Sequence, residues 1–169
     1  MRRGTALLGV AALLAALAGC SPGQEPTAEE WTRRYRETIT AHGGEMAEYN
    51  PVVTEFDPED TRTSLALETL GLEEGDAEAF GVSMSMMNTQ AYAIAAVLPA
   101  QGREEAVEEA LQGYVDRQRS SFEFYLPDQY QVAQDARLET LEGGTVLLVM
   151  CQDADQVLEA IRSDLEADG

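Results

Sequence analysis

One order of elements is written twice in this chain. Residues 79–86 place Phe80, Val82, Met84 and Met86 at alternate positions between Gly81, Ser83 and Ser85, which is the period of a strand. Asn88-Thr89 interrupts the run, and residues 91–98 form an apolar returning strand. A two-residue loop at Asn88-Thr89 sets Met84 opposite Ala93 and Ser85 opposite Tyr92. Each large side chain then faces a small one across the ladder, which favours this register. Residues 103–125 follow as a helix. Val107, Ala110, Leu111, Tyr114, Gln118, Phe122 and Tyr125 lie on one stripe, with Glu104, Glu105, Glu108, Glu109, Gln112 and Arg119 mostly on the other side. Leu126-Pro127-Asp128 breaks it. The order then recurs. Residues 137–142 and 145–152 flank Gly143-Gly144, a pair suited to a tight two-residue turn with positive φ. Asp153, with Gln156 at the capping-box position, opens a last helix whose stripe is Val157, Ile161 and Leu165.

The two units, residues 79–125 and 137–167, share element order and no convincing sequence identity. They predict an α+β fold: two ββα units forming a mainly antiparallel four-stranded sheet with helices packed on one face, plus N-terminal helices. Residues 146–151 are apolar at every position, so both faces of that strand are expected to be buried.

The N-terminal helices have their own punctuation. Thr27 and Glu30 form a capping box, followed by Trp31, Tyr35, Ile39 and Met46 along one side. Gly43-Gly44 ends or breaks that helix. Asp57-Pro58-Glu59-Asp60 reads as a second start, with Gly71 as its stop. The expected organisation is a leader over 1–19, a tether over 20–26, an N-terminal helical segment over 27–56 and a single α+β domain over 57–169.

The leader rests on Arg2 and Arg3, the uncharged apolar run over 6–18, and Leu17-Ala18-Gly19-Cys20. A run of about 13 residues suits a signal-peptide core and falls short of a membrane span. Its end resembles the lipobox of bacterial lipoproteins. The resemblance implies cleavage between Gly19 and Cys20 and attachment of a diacylglyceryl group to the Cys20 sulfur. One acyl chain, such as palmitate, holds only marginally, whereas two or more anchor stably, and that is what this modification supplies. The chain is therefore expected on the extracytoplasmic face of the cell membrane, with membrane lipid as its first partner.

A second resemblance comes from residues deeper in the chain. Leu70-Gly71-Leu72, Ala91-Tyr92-Ala93-Ile94-Ala95, Phe124-Tyr125-Leu126-Pro127 and Gly144-Thr145-Val146-Leu147-Leu148-Val149 are similar to the family called domain of unknown function 4358, over about residues 60–165. That family occurs largely in lipoproteins of Gram-positive bacteria. The resemblance implies fold and location and transfers no functional residue.

Charge narrows the function classes. The formal charge is −20, and all 11 basic residues are arginine. Cleavage before Cys20 removes two arginines and no acid, taking the charge to −22. Nucleic-acid binding needs a cationic footprint and is excluded. With Cys20 lipidated, Cys151 has no partner for an internal disulfide. Nucleophilic catalysis needs an activated nucleophile and usually a base. His42 is the single histidine, and Cys151 ends an apolar strand with no basic neighbour in sequence. No cofactor is expected, and the chain reads as a non-enzyme. The Glu73-Glu74-Gly75-Asp76 and 57–60 acidic clusters lack the alternating ligand spacing of a calcium loop. Met84 and Met86, on one face of a strand, are soft donors that could select copper(I), though methionines more often fill a core.

The expected function is a binding or assembly module of the cell envelope with an envelope-protein partner. Glu104, Glu105, Glu108 and Glu109 are the candidate partner-binding residues. A copper-binding lipoprotein and a carboxylate-based envelope hydrolase are the alternatives.

Overall fold

A computed structural model describes residues 26–57 and 59–167 of the chain. Its elements run α1 (Ala28–His42), α2 (Gly44–Tyr49), α3 (Thr61–Leu70), β1 (Ala77–Met84), β2 (Ala93–Pro99), α4 (Glu104–Phe122), α5 (Pro127–Gln134), β3 (Arg137–Thr140), β4 (Val146–Met150) and α6 (Ala154–Ala167). The strands form one antiparallel sheet in the order β1-β2-β4-β3. The α+β class and the paired hairpins agree with the sequence. The leader, Gly19 and Cys20 lie outside the described residues.

Helix placement is different from the expectation. Alternate residues of β2 and β4 enter two separate cores. Ala93, Ala95, Val97, Val146, Leu148 and Met150 meet side chains of α3, α4 and α5. Ile94, Ala96, Leu147 and Val149 meet α1 and α6. The sheet is the middle of three layers, and helices cover both faces rather than one. A rotation normal to the sheet that exchanges the two hairpins would leave α4 and α6 on one face. They take opposite faces, so the repeat is one of element order and not of symmetry.

The N-terminal segment belongs to this packing. Thr27 and Glu30 form the expected capping box, which orients α1 across β1. Tyr35 and Ile39 are fully buried there. Gly81 permits the close approach, because a Cβ at that position would lie 2.7 Å from Tyr35 Cβ. The Tyr35 phenol shares a 2.6 Å hydrogen bond with the Thr145 hydroxyl, and its ring stacks on Trp31. Val53 touches the outer edge of β1 through a single bridge to Val82, with N–O distances of 2.8 and 2.9 Å.

Several local expectations move. The first hairpin keeps its register, with Met84 opposite Ala93 and the Ser85 N–H donating to the Tyr92 carbonyl. However, β1 stops at Met84, so Met86 lies in the connection, where Asn88-Thr89 forms the turn. In the second hairpin Leu141 faces Thr145, which makes a three-residue loop rather than two. Only Gly144 has positive φ, at 82°; a two-residue type I′ turn needs it at both positions, whereas a three-residue loop needs one left-handed residue. The α3 cap is Asp60, not Asp57. Tyr125 is exposed instead of buried, because α4 ends at Phe122. Helix α4 thus stops ahead of Leu126-Pro127-Asp128, and Pro127 instead starts α5, as proline can at a first helical position. The last helix opens without a capping box: the Asp153 carbonyl accepts from the Gln156 and Val157 N–H groups, with Asp153 itself at φ +58°.

Candidate functional site

The strands give the molecule two ends. At the near end lie Ala77, Pro99 and Val146, with Pro26 and Trp31 beside the Gly143 turn. At the far end lie Met84, Ala93 and Met150. Helix α1 runs toward the far end, and Gly43 reaches the Tyr92 hydroxyl there. Helix α4, about 28 Å long at 1.5 Å per residue, also runs to it. The Gln129 side-chain oxygen, Oε1, then accepts from the Ala91 N–H at 2.8 Å and locks α5 to the β1–β2 connection.

This convergence leaves two clefts. One, of about 460 Å³, is enclosed by the α1–α2 joint, the β1–β2 connection, α5 and the β4–α6 turn. His42, Met46, Gln90, Tyr92 and Gln129 line it. The other, of about 760 Å³, holds Asp128, Asp135, Arg137 and Asp155. They share Val132, Cys151, Gln152, Asp153 and Gln156, so the β4–α6 turn is the ridge between them. Asp153 is the one non-glycine residue with positive φ among the described residues, a conformation that costs roughly 1–2 kcal/mol and that aspartate tolerates better than most.

His42 and Cys151, set aside as unpromising from the sequence, thus border one cleft. Their chemistry is not that of an activated pair. Burial, with help from the Asp153 charge, pushes the Cys151 thiol up to about 11, so it is protonated at neutral pH and a poor nucleophile. His42 Nε2 lies 2.7 Å from Asp164 Oδ2, which also accepts from the Thr38 hydroxyl at 3.1 Å. The His42 bond is the main cause holding the Asp164 carboxyl below its usual range. The group ties α1 to α6 behind the cleft. Burial raises the Tyr92 phenol to about 12. Tyr92 shares a 2.9 Å bond with Ser83 Oγ, whose own proton goes to the Asn50 carbonyl. It is a neutral structural group.

The residues singled out in the sequence fall elsewhere. Met84 is buried in the core, whereas Met86 is exposed. Both border a crevice of about 10 Å³ that Arg62 also lines, and a guanidinium there opposes a cation. Glu104, Glu105, Glu108 and Glu109 are exposed along α4, away from the far-end clefts. Glu104 accepts from the Gly102 N–H at 3.2 Å and Glu108 from the Thr140 hydroxyl. Asp76 is buried at the start of β1, bonded to Arg103 and to the Glu73 N–H. Burial opposes its ionisation, but those bonds outweigh it and lower its pKa. Among the described residues no group of three or more His, Cys, Asp and Glu side chains converges to hold a metal ion. No described helix is long and apolar enough to cross a membrane.

Residues 55–151 match the family model described as Domain of unknown function (DUF4358). The chain belongs to the DUF4358 family. No curated protein and no solved structure matches it. The DUF4358 match spans the sheet and α3 to α5, while α1 and α6 lie outside it. The 460 Å³ cleft is therefore walled from both sides of that boundary, by Gln90 and Gln129 within it and by His42 and Gln156 beyond it.

Proposed function

We propose that this DUF4358 protein is a cell-envelope lipoprotein, held on the outer face of the membrane through Cys20, that works as a non-enzymatic binding or assembly module. The observation that carries the reading is the polarity of the domain. The chain enters at the near end, at Pro26 beside Trp31 and Gly143, and the largest far-end cleft opens at the opposite end of the sheet. Residues 21–26 reach at most about 20 Å from Cys20, which confines the near end to the membrane region and restricts the search for a partner to nearby volume. The protonated Cys151 and the structural roles of His42 and Tyr92 support binding over catalysis.

Crosslinking of the tagged protein in its native host, followed by mass spectrometry, tests the reading. A reproducible envelope-protein partner supports it. Turnover of an envelope substrate by the purified protein, abolished by one carboxylate substitution, would overturn it in favour of a hydrolase.

A further inference from the structure

The walls of the far-end clefts favour one class of occupant. Five neutral amides border them: Gln90, Gln129, Gln131, Gln152 and Gln156. Each carries both donor and acceptor groups, the same pair that every residue of a polypeptide backbone presents. Three of the five are already held in place. Gln90 donates to the Met46 sulfur at 3.1 Å and accepts from the Ser85 hydroxyl at 3.4 Å, Gln129 accepts from the Ala91 N–H, and Gln131 donates to Asp135, so the capacity they have left is offered without first being ordered. Gln152 and Gln156 are exposed on the ridge.

Charge selects among polypeptides. Glu45 and Asp153 line one cleft, and Asp128, Asp135 and Asp155 the other. Arg137, the arginine of that lining, is held by Asp155 at 2.5 and 3.1 Å and by the Asp135 carbonyl at 2.6 Å. The field is negative and suits basic side chains.

Apolar side chains surround the same end. Tyr49 is 70% exposed at the close of α2, Met86 40% and Met87 63% in the β1–β2 connection, and Phe124 84% and Tyr125 75% between α4 and α5. Among the described residues, five of the seven large exposed apolar ones thus sit on segments that meet at the far end. None of the five lines either cleft, but their segments bring them to the same end of the sheet, where exposed apolar groups can extend an interaction surface, and flexible methionines adapt to varied contacts.

We infer that the far end is the docking site for an extended segment of another polypeptide, one that carries basic and apolar side chains. This rests on the binding-module reading and gives that module its site and ligand class. The glutamines take the segment's backbone, the aspartates its cations, and Met87 with the exposed aromatic residues its apolar groups.

The test uses the full chain in detergent and a fluorescent octapeptide with two lysines and two leucines among serines. Binding is read by anisotropy, with detergent alone as blank. Replacing the lysines by glutamates, or the leucines by serines, is expected to weaken binding about tenfold or more. A benzophenone form of the peptide should crosslink within residues 42–49, 86–92, 124–132 or 151–157. Gln152→Arg with Gln156→Arg should lose about tenfold in affinity. Both side chains are exposed, so the urea midpoint should hold; Met87→Ser serves as a second variant.

Equal binding of the glutamate peptide, crosslinks at the near end, or full affinity in both variants would each overturn the inference. So would self-association of the chain lost in the double arginine variant, which would assign the surface to a second copy. An envelope partner captured in the host through the α4 glutamates instead would leave the binding-module reading standing and remove this one.

Discussion

Replacing Gly81 by alanine should destabilise the protein, although the change improves strand propensity. Glycine inside a strand is worse than alanine by roughly 0.5–1 kcal/mol, so propensity alone predicts a gain. The packing predicts a loss. The new Cβ would lie 2.7 Å from Tyr35 Cβ and 3.4 Å from Ile39 Cδ1. Ordinary carbon contacts begin near 3.5 Å, so α1 must lift by about 1 Å. Rotation of a side chain cannot relieve this, because Tyr35 Cβ is fixed to the helix backbone. Overpacking of this kind costs about 1–3 kcal/mol. The lift would also stretch the 2.6 Å Tyr35–Thr145 bond beyond hydrogen-bonding range, a further loss of about 1 kcal/mol. After the propensity gain, the net expectation is a loss of about 1–3 kcal/mol. Urea unfolding followed by fluorescence measures it directly, since Trp31 is the single tryptophan and stacks on Tyr35 at 5.6 Å. Its native emission should shift as α1 lifts. A variant as stable as the parent, with unchanged Trp31 emission, would refute the claim that α1 is seated on Gly81.

Leu111→Ala should cost about 2–5 kcal/mol, because Leu111 is fully buried between α4 and the sheet; a urea midpoint within error of the parent would count against that packing. Asp76→Asn should cost about 1–3 kcal/mol at pH 7, since it leaves Arg103 and the Glu73 N–H without their charged acceptor. The folded-state pKa of Asp76 is lowered. Its contribution is therefore present above its unfolded value, about 3.9, and lost as pH falls through the folded value. The gap between parent and variant should narrow below about pH 4, and a constant gap would exclude the ionic origin. Native Cys151 should react slowly with iodoacetamide at pH 7, because its thiol is raised to about 11; labelling as fast as in urea would contradict that. Cys20→Ser should block lipid attachment, as read by intact mass of membrane-extracted protein.

Local chemistry made much of the fold legible in the sequence. The first hairpin could be registered because Met84, Ser85, Ala93 and Tyr92 alternate in size, and that pairing is the observed one. The second was displaced by one residue because Gly143-Gly144 satisfies two turn types equally well on paper, and only the observed φ values separate them. Helix α5 was hidden because a proline can break one helix or start the next, and Pro127 does the second, after α4 has already stopped at Phe122. The two-faced covering of the sheet was present in the sequence as the unbroken apolar run of β4. It conflicted with the symmetry suggested by the repeat, and the burial requirement prevailed. The far-end clefts were not readable. Their walls come from residues near 42, 90, 129 and 152, and only the packing of α1 and α6 on the second face brings these together.

The bridge at Val53 and the shortness of β3 bear on how many copies of this protein can share a surface. A sheet edge with free N–H and C=O groups is a template on which another chain can add a strand. Val53 occupies both backbone groups of Val82 on the outer side of β1. On the other edge β3 has four residues, and Glu139 there is bound to Arg162, placing charges where an incoming strand would lie. Under the proposed anchor at Cys20, molecules held in two dimensions would meet far more often than the same number free in solution. For such a population, a β1 edge interrupted at Val82 and a β3 edge of four residues make strand-to-strand growth less favourable, so that each copy remains separately available.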